Sequence, residues 1–465
     1  MQANNHQKDF HHALKVLDEV CIGCTHCMTV CPTQAIRVRD GKAKIIDNRC
    51  VDCGECYKAC PVRAIIVEQD DLRMINNFPV RVVLLPAVLI GQFPEEITNS
   101  QIYSALKEIG FTHIYEVENS VETVLQAYSQ FKKENPNKAL ISSFCPATVR
   151  LIQVSFPALV DNILRVKPPI DVSALYYRKK LEQEGISPED IGLFYVTPCA
   201  AKIAAIKSPV GEEESAVNGV INMKFLYNRI LQHLKKYDGD PSSSDFEKLP
   251  SSRSILWSLT RGESNHAQGR SLAIDGIRNV TEFLERLEND EFKDIDFLEL
   301  RACDESCAGG ILISGNRFLT VERLNKRANE YKINEKSKQI TDSAYTTDLS
   351  PDCFFGKVKP RPIEKLDEDI SKALRKMERK RRLMCFLPGF DCAACGAPNC
   401  QTLSEDIVQG RAQVSHCIFM QQVMVEQNKL STEHAKKITE SIWGSERLQK
   451  NCNKMGAEDE TQMFR

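Results

Sequence analysis

The chain has 465 residues, 42% of them hydrophobic, a formal net charge of -2 and 19 cysteines, enough for about three domains with real cores. The balanced charge excludes an overall basic field that would recruit nucleic acid, and no apolar run is long enough to span a membrane. With no signal peptide in the sequence, so many cysteines point to metal in a reducing cytosol rather than to disulfides.

The polar start, Met1 to His6, reads as a frayed terminus, and its histidines as ordinary surface or core residues. Cys21-x2-Cys24-x2-Cys27-x3-Cys31-Pro32 then recurs as Cys50-x2-Cys53-x2-Cys56-x3-Cys60-Pro61, an internal repeat with bacterial ferredoxin spacing. Each compressed run wraps three thiolates around one face of a cube and sends its fourth to the other cluster. One 4Fe-4S cluster is therefore assigned Cys21, Cys24, Cys27 and Cys60, and a second Cys50, Cys53, Cys56 and Cys31. Zinc knuckles are the alternative, but zinc sites rarely use a four-cysteine run this tight followed by proline. Ala35-Ile36 and Ala64-Ile65 each lead into a short β segment.

From about Val80, short apolar runs alternate with amphipathic helices. Val82 to Leu85 reads as a buried strand, Ile102 to Ile109 as a helix and Ile114 to Val117 as the next strand. Ala139 to Ser143 is a strand ending at Cys145, and Ile191 to Thr197 one ending at Cys199. Both cysteines thus stand at the carboxyl ends of parallel strands, where open α/β sheets put their ligands. Val220 to Leu234 reads as a helix, and Asp238 to Ser252, rich in Ser, Pro and Asp, as a loop or insertion. Phe297 to Leu300 is the strand that delivers Cys303 and, four residues on, Cys307. Four such thiolates are the number that a cubane cluster takes.

Lys332 to Asp352 is polar, a linker or peripheral excursion, and Ile363 to Met384 a charged helix whose Arg379-Lys380-Arg381-Arg382 reads as a solvated face before a docking patch. A last cluster motif follows, Cys392-x2-Cys395-x4-Cys400 with Cys417 after sixteen residues, in which Gly396, Ala397 and Pro398 supply a tight backbone path. Zinc is again its alternative. Cys353, Cys385 and Cys452 read as buried or incidental free thiols. Met420 to Gln449 has loosely helical apolar spacing, fitting core or self-association, with a docking helix for a signalling or redox partner as the functional alternative. The expected division is 1–78, 79–331, a linker and helix over 332–384, a cluster module over 385–420, and a helix and tail over 421–465.

Three segments carry a resemblance: Ser142-Ser143-Phe144-Cys145-Pro146, Thr197-Pro198-Cys199 with Lys202 three residues on, and Ala302-Cys303 followed by Cys307-Ala308-Gly309-Gly310. In order and context they resemble the three signatures that hold the active-site cluster of iron-iron (FeFe) hydrogenases. The resemblance implies an α/β chain: a bacterial-ferredoxin-like domain, a hydrogenase-type α/β domain with its cluster between two lobes, and a small helical 4Fe-4S module. The last is similar to a module of corrinoid and electron-bifurcating redox proteins. Cys145, Cys199, Cys303 and Cys307 would then hold a 4Fe-4S cubane, Cys307 also bridging to a two-iron subcluster with CO, cyanide, a dithiolate amine and an open position for hydrogen; together these form the H-cluster. Lys202 falls where the family holds a cyanide by a charge-assisted hydrogen bond, an ordinary surface lysine being the plain alternative. Pro86-Ala87 resembles a segment lining that cavity.

The departures from the family set the functional expectation. Catalysts carry a proton-relaying cysteine where this chain has Phe144, methionines where it has Thr197 and Arg301, and Lys-Ser-Pro-Gln where it has Lys167-Pro168-Pro169-Ile170. Thr123-Val124-Leu125-Gln126 lies near the relay carboxylates, and the Gln126 amide cannot titrate in their stead. This combination resembles the sensory-type branch of the family, and implies a cytoplasmic, anaerobic hydrogen or redox sensor with weak hydrogen turnover. Its partners would be a ferredoxin-like redox protein and a separate signalling protein, with H2 and protons as small ligands. Two other functions stay open: a ferredoxin-linked catalytic hydrogenase with another proton route, and a non-catalytic iron-sulfur electron-transfer or assembly protein.

Overall fold

The computed structural model describes residues 10–136, 138–235, 250–292, 294–338, 351–361 and 366–448. The chain divides into two units, one of Met1–Lys15, Cys50–Gly54 and Val67–Ile363, the other of Val16–Arg49, Glu55–Ile66 and Glu364–Arg465. Strand β1 (Leu14–Val16) lies at the first passage between them, β2 (Ile36–Arg39) and β3 (Lys42–Ile45) form an antiparallel hairpin in the second unit, and β4 (Ile65–Val67) lies at a later passage.

In the first unit, Val80–Leu85 (β5), His113–Glu116 (β6), Leu140–Ile141 (β7), Ile191–Thr197 (β8), Gly219–Asn222 (β9), Ser271–Asp275 (β10) and Phe297–Arg301 (β11) build two parallel sheets, in the orders β6-β5-β8-β9 and β10-β11-β7. β8 is buried along its whole length, the condition of a parallel strand covered on both faces and the reason it reads as a continuous apolar run. The carboxyl ends of β5 and β8 lead to Pro86 and Cys199, and those of β7 and β11 to Cys145 and Cys303. Both sheets therefore feed the cysteine segments.

Two strands differ from the sequence reading. Val220-Ile221 lies in β9, and the helix begins only at Met223, because Asn222 Oδ1 accepts from the Lys224 and Phe225 N–H groups and caps it there. β10 escaped notice because it is a half-exposed edge strand with weak alternation.

In the second unit, β2 carries the C-terminal cysteine module. Val38 N–H donates to the Gly396 carbonyl at 2.9 Å, and Trp443 Nε1 to the Ala394 carbonyl at 3.0 Å. Gly396 has φ +70°, and a Cβ there would stand 2.3 Å from the Val38 carbonyl oxygen, so only glycine fits this approach. The helix Ile370–Phe386 carries the basic run, of which Lys380 pairs with Glu405 at 2.6 Å and Arg382 with Glu378 at 3.1 Å. The expected helix over 420–449 is three among the described residues, Ile418–Glu426, Thr432–Trp443 and Ser445–Leu448, broken at Asn428 (φ +57°) and Gly444 (φ +78°). The helix Arg317–Lys338 runs into the stretch expected to be a linker from 332. Cys452 and most of the loop over 238–252 lie outside the described residues.

Candidate functional site: three cysteine segments and a small cavity

Cys145 leaves β7 as the N-cap of the helix Pro146–Ser155, and Cys199 leaves β8 as the N-cap of the helix Ala200–Lys207. The Thr197 hydroxyl accepts from the Cys199 N–H at 3.3 Å and donates to the Cys199 carbonyl at 3.0 Å, which fixes that turn. After β11 the chain doubles back through Glu305 and Ser306 at φ +59° and +50°. A Cβ at Gly309 would fall 1.8 Å from the Asp304 carbonyl oxygen, so the loop closes only on glycine. Ser306 N–H donates to the Cys303 carbonyl at 3.1 Å, and Cys307 N–H to the Ser258 carbonyl at 3.1 Å.

Burial pushes the Cys199 thiol up to about 11, with Lys202 opposing and Cys307 and Cys145 adding to the rise. Cys145, Cys199 and Cys307 are thus mutual neighbours, and Cys303 opens the same short loop as Cys307. Thiolates gathered in a buried place repel one another unless a metal core takes up their charge.

Beside Cys307 lies a small cavity lined by Pro86, Glu118, Phe144, Ile170, Trp257 and Lys202, among others. Lys202 is 5% exposed, not a surface lysine, and its Nζ is 3.5 Å from Cys307 Sγ. Burial alone would lower its pKa, but the thiol of Cys307 and further anionic neighbours raise it. Phe144 is clamped between two cations: Lys202 Nζ stands 4.4 Å and Arg301 Cζ 4.0 Å from its ring centroid, with Trp257 edge-on at 6.5 Å. Arg301 is in turn held by Glu263 at 2.8 Å and Glu299 at 3.4 Å, and Glu263 accepts from Ser142 and Tyr128. The phenylalanine and the arginine that depart from the family pattern therefore belong to one buried network.

Three polar atoms on the residues lining this cavity are buried without a hydrogen-bond partner: Glu118 Oε2, Trp257 Nε1 and Ser258 Oγ. Native interiors rarely strand such groups together, and a polar occupant with acceptor atoms would satisfy them. Glu118 Oε1 accepts from Ala87 N–H at 2.7 Å, and burial, with Glu116 adding, pushes the carboxyl up to about 8. Gln126, which the sequence sets at the relay position as an amide that cannot titrate, lines another cavity with Glu122 and His266. The signal for Glu118 was its place just beyond β6, in line with Pro86 beyond the neighbouring β5.

A raised carboxyl pKa stabilises the fold fully below its ordinary value of 4.5, and that contribution is lost as pH rises through about 8. Glu118→Gln is therefore expected to flatten the fall in thermal midpoint between about pH 5 and 8, by at most about 1.4 kcal/mol per pH unit. A wild-type profile already flat over that window contradicts the assignment.

Two further sets of cysteines gather as well. Burial pushes the Cys27 thiol up to about 12, with Cys24, Cys21 and Cys60 adding to it, so the fourth thiol of the second run joins three of the first. Cys392, Cys395, Cys400 and Cys417 line one small cavity, and burial, with Cys417 and Cys392, pushes Cys395 up to about 11. Backbone N–H groups already point at sulfur: Ala43 to Cys21 at 3.3 Å, Ala35 to Cys31 at 3.2 Å and Ala64 to Cys60 at 3.2 Å. Cys353 is buried and Cys385 exposed. Among the described residues no helix is long and apolar enough to cross a membrane.

The chain is similar to known iron-sulfur proteins. Residues 80–251 match the iron only hydrogenase large subunit, C-terminal domain, residues 13–61 a 4Fe-4S dicluster domain, and residues 387–419 an Fe-S cluster domain. The chain is 24% identical over 291 residues to iron hydrogenase 1 of Clostridium pasteurianum, covering 57% of this chain and 47% of that one. It is 27% identical over 274 residues to the periplasmic Fe hydrogenase large subunit of Nitratidesulfovibrio vulgaris, covering 54% of this chain and 63% of that one. The chain thus spans between about half and two thirds of the length of these relatives. Among solved structures, the FeFe-hydrogenase of Chlamydomonas reinhardtii is similar at 16% identity and a TM-score of 0.43, over 61% of this chain and 96% of that one. The match to the hydrogenase large-subunit domain, with a dicluster repeat before it, makes this chain an FeFe hydrogenase-like iron-sulfur protein with a ferredoxin-like N-terminal region.

Proposed function

We propose that the chain is a low-turnover hydrogen or redox sensor of a reducing cytoplasm, built on a hydrogenase site whose proton relay has been closed. The observation that carries this reading is Phe144, locked between Lys202 and Arg301 at the position next to Cys145. An aromatic ring has no exchangeable proton, and two buried cations leave it little freedom to move aside.

Cys145, Cys199, Cys303 and Cys307 would hold the 4Fe-4S cubane, and Cys307 would bridge to a two-iron unit in the cavity of Glu118, Trp257 and Ser258. When bound, that unit supplies an open iron position for hydrogen. Lys202 holds a positive charge against Cys307 and offers its N–H groups to an anionic ligand there. The stranded Trp257 N–H and Ser258 O–H offer two further donors. Cys21, Cys24, Cys27 and Cys60 would hold one ferredoxin-type cluster, Cys50, Cys53, Cys56 and Cys31 a second, and Cys392, Cys395, Cys400 and Cys417 the cluster of the C-terminal module. Electrons would enter from a ferredoxin-like partner, and the output would pass to a separate signalling protein.

Infrared spectroscopy of the matured protein tests the two-iron unit: bands of bound CO and cyanide are expected. Their absence would sink this reading and leave an electron-transfer or assembly protein. Glu118 favours a second reading, a ferredoxin-linked catalytic hydrogenase with another proton route, because an acid that keeps its proton near neutrality still lines the cavity. Fast hydrogen evolution from reduced ferredoxin, abolished by Glu118→Gln, would establish it.

A further inference from the structure

Five residues after Cys145, on the same helix, Arg150 is completely buried. Its Nη1 pairs with Asp52 Oδ2 at 3.0 Å, and Asp52 lies in the second cysteine run, between Cys50 and Cys53. The carboxylate is 1% exposed and accepts from His12 Nδ1 at 2.8 Å and from the N–H groups of Ala13 and Leu14 at 3.0 and 3.3 Å. The Phe10 ring lies 3.8 Å from Arg150 Cζ and 3.7 Å from Arg361 Cζ. Burial pushes the guanidinium down to about 10, so it stays charged at neutral pH.

Two donors of Arg150, Nε and Nη2, have no partner, and neither has His12 Nε2. Leaving such groups buried and unmet is costly, most of all for a charged one. Cysteine sulfur lies near this ion pair. The ligand atoms of His12, Asp52 and Cys50 are within 4.8 Å of one another. Val51 and Cys53 pack in one apolar core with Cys145 and Cys199, and the thiols of Cys50 and Cys199 both act on the Arg150 charge.

We propose that Arg150 is a positioning residue shared by two iron-sulfur clusters: Asp52 holds its guanidinium between the second cysteine run and the cubane segment, where its spare N–H groups donate to sulfur on both sides. This rests on the cluster assignments proposed above. A buried cation stabilises the more negative, reduced state of both clusters and so raises both reduction potentials.

Redox titration of the full chain, followed by electron paramagnetic resonance, tests it. Arg150→Met is expected to lower the potentials of the second ferredoxin cluster and the cubane by at least a tenfold change in the reduction equilibrium, 59 mV for a one-electron couple. The cluster on Cys21, Cys24, Cys27 and Cys60 should not move, and Arg150→Lys, which keeps the charge, should stay within a threefold change. Should Arg150→Met not fold, Asp52→Asn carries the test: it removes the counter-charge and is expected to shift the same two potentials upward. Loaded clusters whose potentials ignore both substitutions, or an equal shift in the Cys21 cluster, overturn the proposal. Absence of the second-run or cubane signal from the unmodified protein overturns the cluster assignments and the proposal together.

Discussion

Phe144→Cys is expected to raise hydrogen turnover of the matured protein by about two to four orders of magnitude, the usual contribution of a positioned acid-base group. The new thiol would sit directly before Cys145 and on the wall of the cavity that Glu118 lines. Glu118, pushed up to about 8, is protonated near neutrality and is poised to exchange a proton with that thiol. The substitution also removes the ring that Lys202 and Arg301 grip. Truncating a buried phenylalanine to alanine costs about 3–5 kcal/mol, and cysteine should cost somewhat less. Higher turnover with a lower thermal midpoint is therefore the combined signature. Adding Glu118→Gln to Phe144→Cys should cancel the gain in rate. If the unmodified protein already turns over quickly and Phe144→Cys leaves the rate unchanged, the sensory reading fails.

What the sequence disclosed follows from how local each signal is. Cys21 to Cys60 and Cys392 to Cys417 declare themselves because their ligands sit within short runs whose spacing alone shapes a cluster. The strands ending at Cys145, Cys199 and Cys303 were legible because they are buried on both faces and read as apolar runs. β10 and β9 were missed for the opposite reasons: one is a half-exposed edge, and in the other Val220-Ile221 runs straight into a capped helix.

The site was half legible for the same physical reason. Phe144 and Arg301 were each noticed as departures beside a ligand, but their contact joins the ends of different strands. Glu263, which anchors Arg301, lies in a segment with no motif. Glu118, Trp257 and Ser258 become functional candidates only when burial without a partner is seen. Asp52 hides inside the most recognisable motif of the chain, and its partners His12 and Arg150 are 40 and 98 residues away.

Asp406→Ala is expected to cost about 3–5 kcal/mol, the range for removing one partner of a buried ion pair. Asp406 is 1% exposed and accepts from Arg37 Nε at 2.6 Å and Nη2 at 3.2 Å, with Arg39 Nη2 and Arg411 Nη2 each at 3.4 Å. Arg37 is itself 4% exposed, so without the carboxylate its guanidinium keeps the desolvation penalty and loses the compensating charge. The damage should be local first. Arg37 and Arg39 belong to β2, while Asp406 belongs to the helix Cys400–Val408 that begins at a cysteine of the C-terminal module. Cutting this link leaves the Val38 and Arg39 hydrogen bonds to the Gly396 carbonyl, the Thr402–Gln34 hydrogen bond and the Arg49–Glu405 pair to hold the module. Denaturant titration should accordingly show a lowered midpoint, with the C-terminal cluster signal lost before that of the cluster on Cys21. Cys385→Ser, at an exposed position of the neighbouring helix, should change neither. Simultaneous loss of both clusters at the wild-type midpoint would show that the Asp406 network does not anchor the module.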